Sequence, residues 1–508
     1  MSSRTAVRTR ERSVTLLRAL DQRLGAVAAA LDLISLPARG PALDPGRSAS
    51  AFLPLLVEAC LDAAGTDVPW LVLTGVAGAF PRSRDVLAFR RRLEVLPPHE
   101  LAAALLADVV ASPRHGRLDF EMDVVVGGIV VNVDFCARHD IHTGIHRVVR
   151  ETLPRWQAKH AIVATANIDE YSGLRTLAPR EAHRVFAYGT EPSVSTSDEL
   201  DYHARLVVPW RGVLVIPEIP EPAFSPYLAA LAELSGNQLN IIGYDMIPVV
   251  SADLRPDVDA VRFASYLSVI KHATRVAGIS VSATTEFAGF AHAVTAQGLP
   301  GPTVREVLLP GDVPTHATPS ASAAPDRRPL VLCVGSHEPH KNHRTVLHAA
   351  ERLWRAGHEF DLEFIGGTGW RSEELVAYLA EVRASGRPVH DRGRVTDDEL
   401  WQAYRDASFT VFLSVHEGFG LPVVESLGCG TPVVTSIYGS MGEIAAGGGC
   451  LAVDPRDDDA VTEAIRVLLT DRNVLDRLRE EAARRPVRRW DQYATELWDV
   501  LAVRADQP

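Results

Sequence analysis

A chain of 508 residues is too long for one ordinary core and implies two or three domains. Hydrophobic residues make up 46% and charged residues 23%, a soluble globular composition, and the formal net charge of -12 excludes a general nucleic-acid binder, which would be basic. The five cysteines (Cys60, Cys136, Cys333, Cys429 and Cys450) form no CxxC pair, so neither a zinc site nor a disulfide framework is expected, and a reducing cytoplasm fits.

Residues 1–118 read as a mostly helical, Ala/Leu/Arg-rich extension. The start, MSSRTAVRTRERSVTLL, is basic but has no signal-peptide core. Leu17, Leu20, Leu24, Val27 and Leu31 recur at three-four spacing, which puts one apolar stripe on a helix. Packing against a neighbour is the plain reading of that stripe, and a homo-oligomer contact the sharper one. FRRRLEVLPPHELAAALLADVV (89–110) supplies two further helices broken at Pro97-Pro98. No apolar run reaches the ~18 residues that a membrane span needs.

Residues 119–312 change texture. VVVGGIVVNVDF is strand-rich, IHRVVRETLPRW helical, and AIVATA, RVFAY and GVLVIP are short β-branched runs. LNIIGYD is a strand, VRFASYLSVIKHATRVA a helix, GISVS a strand and TEFAGFAHAVTAQ a helix, with VREVLLP closing the series. Apolar strands alternating with helices predict a mostly parallel sheet covered on both faces, an α/β Rossmann-like domain. GDVPTHATPSASAAPDRRP then reads as a Pro/Ser/Ala/Thr linker centred on 313–329. A second alternating series fills 330–480, and residues 481–508 end the chain in a helix.

The stretch HEGFGLPVVESLGCGTPVVTS (416–436) carries the chemistry. The strand-like FTVFLSV ends at Val415, and Pro422 is a natural first-turn residue of the next helix. Gly418 and Gly420 let the loop backbone approach a ligand. The amides of Leu421, Val423, Val424 and Glu425 would then face outward from a helix N-terminus, an anion site at the carboxyl end of a strand. A carboxylate at Glu425 would repel a phosphate, so its productive role is to accept hydrogen bonds from hydroxyls such as a ribose diol. Glu417 could do the same for a sugar ring. The bland alternative is that Glu425 merely compensates the helix dipole, worth ~0.3–1 kcal/mol.

EGFGLPVVE (417–425) followed by GTPVV (430–434) resembles the signature of family 4 (group 1) retaining glycosyltransferases of the GT-B fold. VGSHEPHKNH (334–343) resembles that family's lysine loop, FIGGTGW (364–370) its next strand end, and GRVTDDEL (393–400) with Tyr404 its following turn. In the first domain TGIHR (143–147) is similar to the family's glycine turn, and YDMIP (244–248), VSATT (281–285) and LPG (309–311) follow in order. The resemblance spans about 120–505 and leaves residues 1–118 uncovered.

It implies two Rossmann-like domains facing a cleft, with the acceptor side in the first and the donor side in the second. Glu425 would bind the ribose of a nucleotide-diphosphate sugar and Glu417 the donor sugar. Lys341 and the amides near Gly420-Leu421 would hold the diphosphate, with Gly144 approaching from across the cleft. Gly335, Ser336, Gly366, Val395, Gly418 and Phe419 complete the implied donor site. Lys341 and a helix N-terminus would replace a divalent metal, so neither metal nor cofactor is expected beyond the co-substrate. Retention is implied by the resemblance alone, with front-face attack favoured and Glu417 as covalent nucleophile the older alternative.

Ser336 stands where many relatives carry arginine, so a second cation is open among Arg344, Arg394 and a protonated His340. Asp245, taken with Glu417 and Lys341 as catalytic, and Glu218 or Glu221 in the PEIPEP loop are acceptor-side candidates. The EPHKNH loop hints at mannose, and the acceptor is expected to be a glycan, a lipid-linked glycan or a small molecule. Arginine clusters at RTRER, FRRRL and RRPVRR suit either solvated helix faces or anionic lipid head groups, the latter placing a cytoplasmic protein at the inner membrane face. Trp490 and Trp498 lie in a terminal helix that the resemblance returns to the first domain. The rivals are a Rossmann dehydrogenase, from GGTGW with Asp391 downstream, a phosphorylase of the same fold, and a non-catalytic GT-B scaffold that binds nucleotide or glycan.

Overall fold

The computed structural model describes residues 2–34, 47–111, 117–141, 143–169, 171–191, 195–311 and 328–504; the expected linker at 313–329 lies outside them but for its last two residues. The first sheet has nine strands: β1 (Met122–Val126), β2 (Ile129–Asn132), β3 (Ile162–Asn167), β4 (Leu174–Thr176), β5 (Leu206–Trp210), β6 (Val213–Ile216), β7 (Gln238–Gly243), β8 (Arg275–Gly278) and β9 (Thr303–Glu306). Their order is β1-β5-β4-β3-β2-β6-β7-β8-β9, and the short β4 alone runs antiparallel to its neighbours. The VVVGGIVVNVDF run is two strands but no hairpin. β1 pairs with β5, whereas β2 pairs with β3 and β6 four places away in the sheet.

Two sequence expectations are corrected here. RVFAY does not form a strand; it ends the helix Pro179–Phe186. Pro179 starts that helix, and Glu181 both accepts from the Ala178 amide at 2.8 Å and pairs with Arg175, which outweighs one β-branched valine. In the second case the helix over VRFASYLSVI stops at Ile270. RVAG is then β8, and the VS of GISVS opens the helix Val281–Ala293 under a Ser280 cap. A four-residue apolar strand carries no period that separates it from helix. LVVPW, which carries a proline, forms β5 inside the sheet between β1 and β4.

The five helices within residues 2–111 are built into the first domain. Leu24, Val27, Leu56, Trp70 and Phe80 share one buried core with Val208, Trp210, Leu228 and Ile241. The Leu17–Leu31 stripe is buried only at its centre, Leu24 and Val27 being inaccessible and Leu17 40% exposed. Two side chains of the first helix fasten it, Gln22 to β1 and Arg23 to the third helix and to the segment that leads into β1. The Gln22 amide exchanges two hydrogen bonds with the Met122 backbone (2.8 and 2.6 Å), as a neighbouring strand would. Arg23 is buried and donates to the carbonyls of Gly75 (2.8 Å), Leu118 (2.6 Å) and Phe120 (2.8 Å). Burial lowers its pKa to about 10, opposed by nearby Asp119.

The second sheet is wholly parallel: β10 (Leu330–Val334), β11 (Asp361–Ile365), β12 (Val389–Asp391), β13 (Phe409–Phe412), β14 (Val433–Ser436) and β15 (Cys450–Val453), in the order β12-β11-β10-β13-β14-β15. Its direction of growth reverses between β10 and β13, and a ligand crevice opens outside the carboxyl ends of strands at such a point. The last helix, Trp490–Leu501, leaves this domain and packs on the first. Trp156 donates to the Ala494 carbonyl (2.7 Å), Asn240 donates to Leu501 (2.6 Å), and His160 stacks on Trp498. Among the described residues no helix is long and apolar enough to cross a membrane.

Arg23→Met should destabilise the protein by about 3 kcal/mol, since three buried carbonyls lose a charged donor at once. A thermal or denaturant shift near zero would show that these bonds carry no weight.

Candidate functional site

The loop after β10 and the loop after β13 flank the reversal point, and each delivers one charged side chain. Lys341 closes the 3-10 turn Pro339–Lys341, and its Nζ lies 2.6 Å from Glu417 Oε1. Burial alone would raise the Glu417 carboxyl, but the Lys341 ammonium holds it below the ordinary range. A Cβ on Gly366 would stand 1.9 Å from the Gly335 carbonyl oxygen, so the loop after β11 touches the loop after β10 through backbone. Ser336 turns its hydroxyl to Glu338 (2.7 Å), and Val395 packs beneath the site with Leu332, Trp401 and Tyr404.

Gly420, at φ 108, precedes the helix Leu421–Gly428. The expected outward row of amides is corrected by this turn. The Val423 and Val424 amides both donate to the Gly420 carbonyl (3.0 and 3.4 Å), and Glu425 lies beyond them inside the helix. The left-handed residue folds its own carbonyl back over the first turn.

Glu425 is buried and held from two sides. Arg147, in the first domain, donates to Oε1 at 2.7 Å, and the Tyr404 hydroxyl donates to Oε2 at 2.9 Å. Burial raises the Glu425 carboxyl, and the Arg147 charge and the Tyr404 bond oppose that rise. Gly144 begins the helix carrying Arg147, and a Cβ there would lie 3.2 Å from Leu421 Cδ1. Arg147 stands one turn along TGIHR. A cation one helical turn after the turn glycine is the signal that could have marked it.

The Glu-Gly-Phe-Gly loop docks on the first domain. A Cβ on Gly418 would meet the Tyr244 carbonyl oxygen at 2.2 Å, and the Ser280 hydroxyl donates to the Gly418 carbonyl (2.7 Å). Phe419 packs on the first domain's core. His416 reaches Glu286 (2.7 Å) and Ser251 (3.0 Å), and Glu286 also accepts from the Met246 amide (3.0 Å). Asp245 lies beside Gly418; burial raises its carboxyl, and it accepts from the Ile247 amide. Glu443 crosses the other way to accept from the Val281 and Ser282 amides (3.0 and 2.6 Å). Neither Glu286 nor Glu443 was marked by the sequence, because each acts across the domain seam.

The other candidates are dispersed. His340 is kept neutral, burial lowering its pKa to about 3, so it supplies no second cation. Arg344 is exposed and paired with Glu374, and Arg394 lies along Gly367. Glu218 accepts from the Phe135 and Cys136 amides (2.8 and 2.9 Å), which makes it a helix cap, with burial raising its pKa to about 7. Glu221 is exposed. Asp391 accepts from Gly393 in its own turn (3.1 Å), an intra-loop role unlike the ribose contact of a dinucleotide fold. Among the described residues no three His, Cys, Asp or Glu side chains converge as metal ligands would.

Lys341→Ala would leave Glu417 buried without its cation. The loss should be about 3 kcal/mol at neutral pH. The Glu417 contribution is present above its unfolded value near 4.5 and lost as pH falls through the lower folded value. The deficit between variant and wild type should therefore shrink in acid, and an equal deficit at pH values near 7 and 4 by thermal unfolding would contradict the pairing.

Comparison with known proteins agrees with this geometry. Residues 316–485 match the family model for glycosyl transferases group 1. The chain is 34% identical over 166 residues to O-antigen chain mannosyltransferase B of Escherichia coli, covering 32% of this chain and 42% of that one. It is 24% identical over 328 residues to the serotype-specific mannosyltransferase WbdA of Escherichia coli, covering 60% of this chain and 37% of that one. The chain thus spans about two fifths of the length of these curated relatives. Among solved structures it superposes on the sucrose-phosphate synthase of Thermosynechococcus elongatus with TM-score 0.51 at 16% identity, covering 73% of this chain and 98% of that one. It also superposes on Anabaena HepE in complex with UDP and glucose, with TM-score 0.50 at 11% identity, covering 74% and 99%. The two-domain fold is that of the GT-B glycosyltransferases.

Proposed function

We propose, for a GT-B chain whose residues 316–485 are a group 1 glycosyltransferase region, that the whole protein is a glycosyltransferase. It transfers a hexose, mannose foremost, from a nucleotide-diphosphate sugar to a hydroxyl of a glycan, lipid-linked or small-molecule acceptor, in the assembly of cell-surface polysaccharide. The O-antigen and serotype-specific mannosyltransferases among the relatives support mannose and polysaccharide; the site supports the reaction class.

The observation that carries the reading is the pairing of Lys341 with Glu417 at the sheet reversal, next to Glu425 and opposite Gly144. A departing nucleoside diphosphate gains negative charge as the glycosidic bond breaks. A preorganised ammonium aimed there lowers the barrier and takes the place of a divalent metal. On donor arrival Lys341 exchanges Glu417 for phosphate oxygens, which frees Glu417 to accept from sugar hydroxyls. Glu425 keeps one lone pair on each oxygen beyond its bonds to Arg147 and Tyr404, which matches the two hydroxyls of a ribose diol. Retention follows a front-face course, in which the leaving phosphate takes the proton of the acceptor hydroxyl as that oxygen attacks. Asp245, at the first-domain side of the Gly418 loop, orients the acceptor or the donor sugar.

A panel of nucleotide sugars read by thermal shift identifies the donor, since a ligand stabilises the state that binds it. Transfer of the stabilising sugar to an acceptor, with the anomer assigned by NMR, then tests the chemistry. Donor binding without turnover on any acceptor would favour a scaffold. Glu425→Ala should weaken donor binding roughly tenfold to a hundredfold by removing charged hydrogen bonds. Lys341→Ala should chiefly lower kcat. Wild-type kinetics in both variants would refute the site.

A further inference from the structure

We infer that Arg147 is a positioning residue for Glu425, holding that carboxylate ionised and aimed from the opposite domain, so that the ribose-reading group is complete only when the two domains are docked. The inference rests on the donor reading above.

The geometry is specific. Arg147 belongs to the first-domain helix Gly144–Lys159, while Glu425 lies in the second-domain helix Leu421–Gly428, and their side chains are mostly buried against each other at 2.7 Å. The guanidinium stands between two indoles, Trp401 at 6.0 Å and Trp490 at 5.8 Å from its carbon to the ring centres. Trp401 belongs to the second domain, and Trp490 opens the terminal helix that packs on the first. The arginine is therefore walled by both bodies. Charge acceptance by aromatic faces and a planar donor suit arginine better than lysine.

Charge balance requires such a partner. The groups facing Glu425 are Arg147 from the first domain, Tyr404 and Asp397 from the helix Asp397–Asp406, and Cys429 at the end of its own helix. Tyr404 is kept neutral by burial and offers only a hydrogen bond, and Asp397 repels. Arg147 is thus the cation of the set. Without it the buried carboxyl takes up a proton and presents an O–H where a ribose hydroxyl needs an acceptor. None of the second-domain groups named replaces it, so an opened cleft disables the reader as well as separating the walls.

The test uses the full chain with Arg147→Met, Arg147→Lys and wild type. Binding of GDP and UDP is measured by calorimetry from about pH 6 to about pH 8.5, with inorganic diphosphate as a probe lacking ribose. Arg147→Met should lose roughly tenfold to a hundredfold in nucleoside-diphosphate affinity at the acid end, recover part of it as pH rises, and bind inorganic diphosphate as wild type does. Arg147→Lys should restore the neutral-pH affinity in large part. A pH-independent loss, an equal loss for inorganic diphosphate, or no loss would overturn the inference while leaving the donor reading intact. Failure of the wild type to bind either nucleotide would overturn both.

Discussion

A carboxylate stays ionised in a closed seam only beside a cation, and the site is arranged around two that meet this demand differently. Glu417 finds its cation, Lys341, within its own domain, across the reversal of the parallel sheet. Glu425 finds Arg147 in the other domain. The first pair assembles as soon as the second sheet folds. The second exists only after docking. One seam therefore contains a permanent charge pair and a conditional one, eight residues apart on the same loop and helix.

Docking itself depends on backbone contact. The Gly418 position admits no side chain against the Tyr244 carbonyl, and around it His416, Glu286, Ser251, Ser280 and Glu443 form a belt of hydrogen bonds in both directions. These are polar, partly exposed bonds of modest individual worth, ~1 kcal/mol each. Such a seam can open and close with a ligand, unlike the apolar cores on either side of it. The N-terminal helices lie on the firm side of that distinction. They bury Trp70, Phe80 and Leu24 in the first domain's own core and pin its edge strand through Gln22.

Alternating apolar runs and helical periods gave away both sheets, because a parallel sheet buried on two faces writes itself as β-branched blocks. The Glu-Gly-Phe-Gly motif likewise marked a loop that lies at the sheet reversal and against the first domain, since its residue types are dictated by close approach and charge. What stayed hidden is what depends on the partner domain. Glu286 and Glu443 have no local signature, as each acts on a residue more than a hundred positions away, and Arg147 offers only its place one turn after Gly144. RVFAY was misread because one valine resembles a strand until the Arg175–Glu181 pair and Pro179 set a helix. RVAG was misread because four residues are too few to show a period. The amide row was over-read at Val423 and Val424, whose amides turn to the carbonyl of the left-handed Gly420.

The return of the last helix to the first domain has a topological consequence. Trp490, Tyr493 and Leu497 are buried in the first domain's core, so that domain is made from both sides of the chain and the second is an insertion within it. The chain crosses between the bodies twice, before Arg328 and again between Ala483 and Trp490. The second domain is thus joined to the first at both of its ends. Removing the final helix would then strip the first domain's core and not trim the second domain. A free-standing first domain would need residues from both ends of the sequence, joined as a circular permutant.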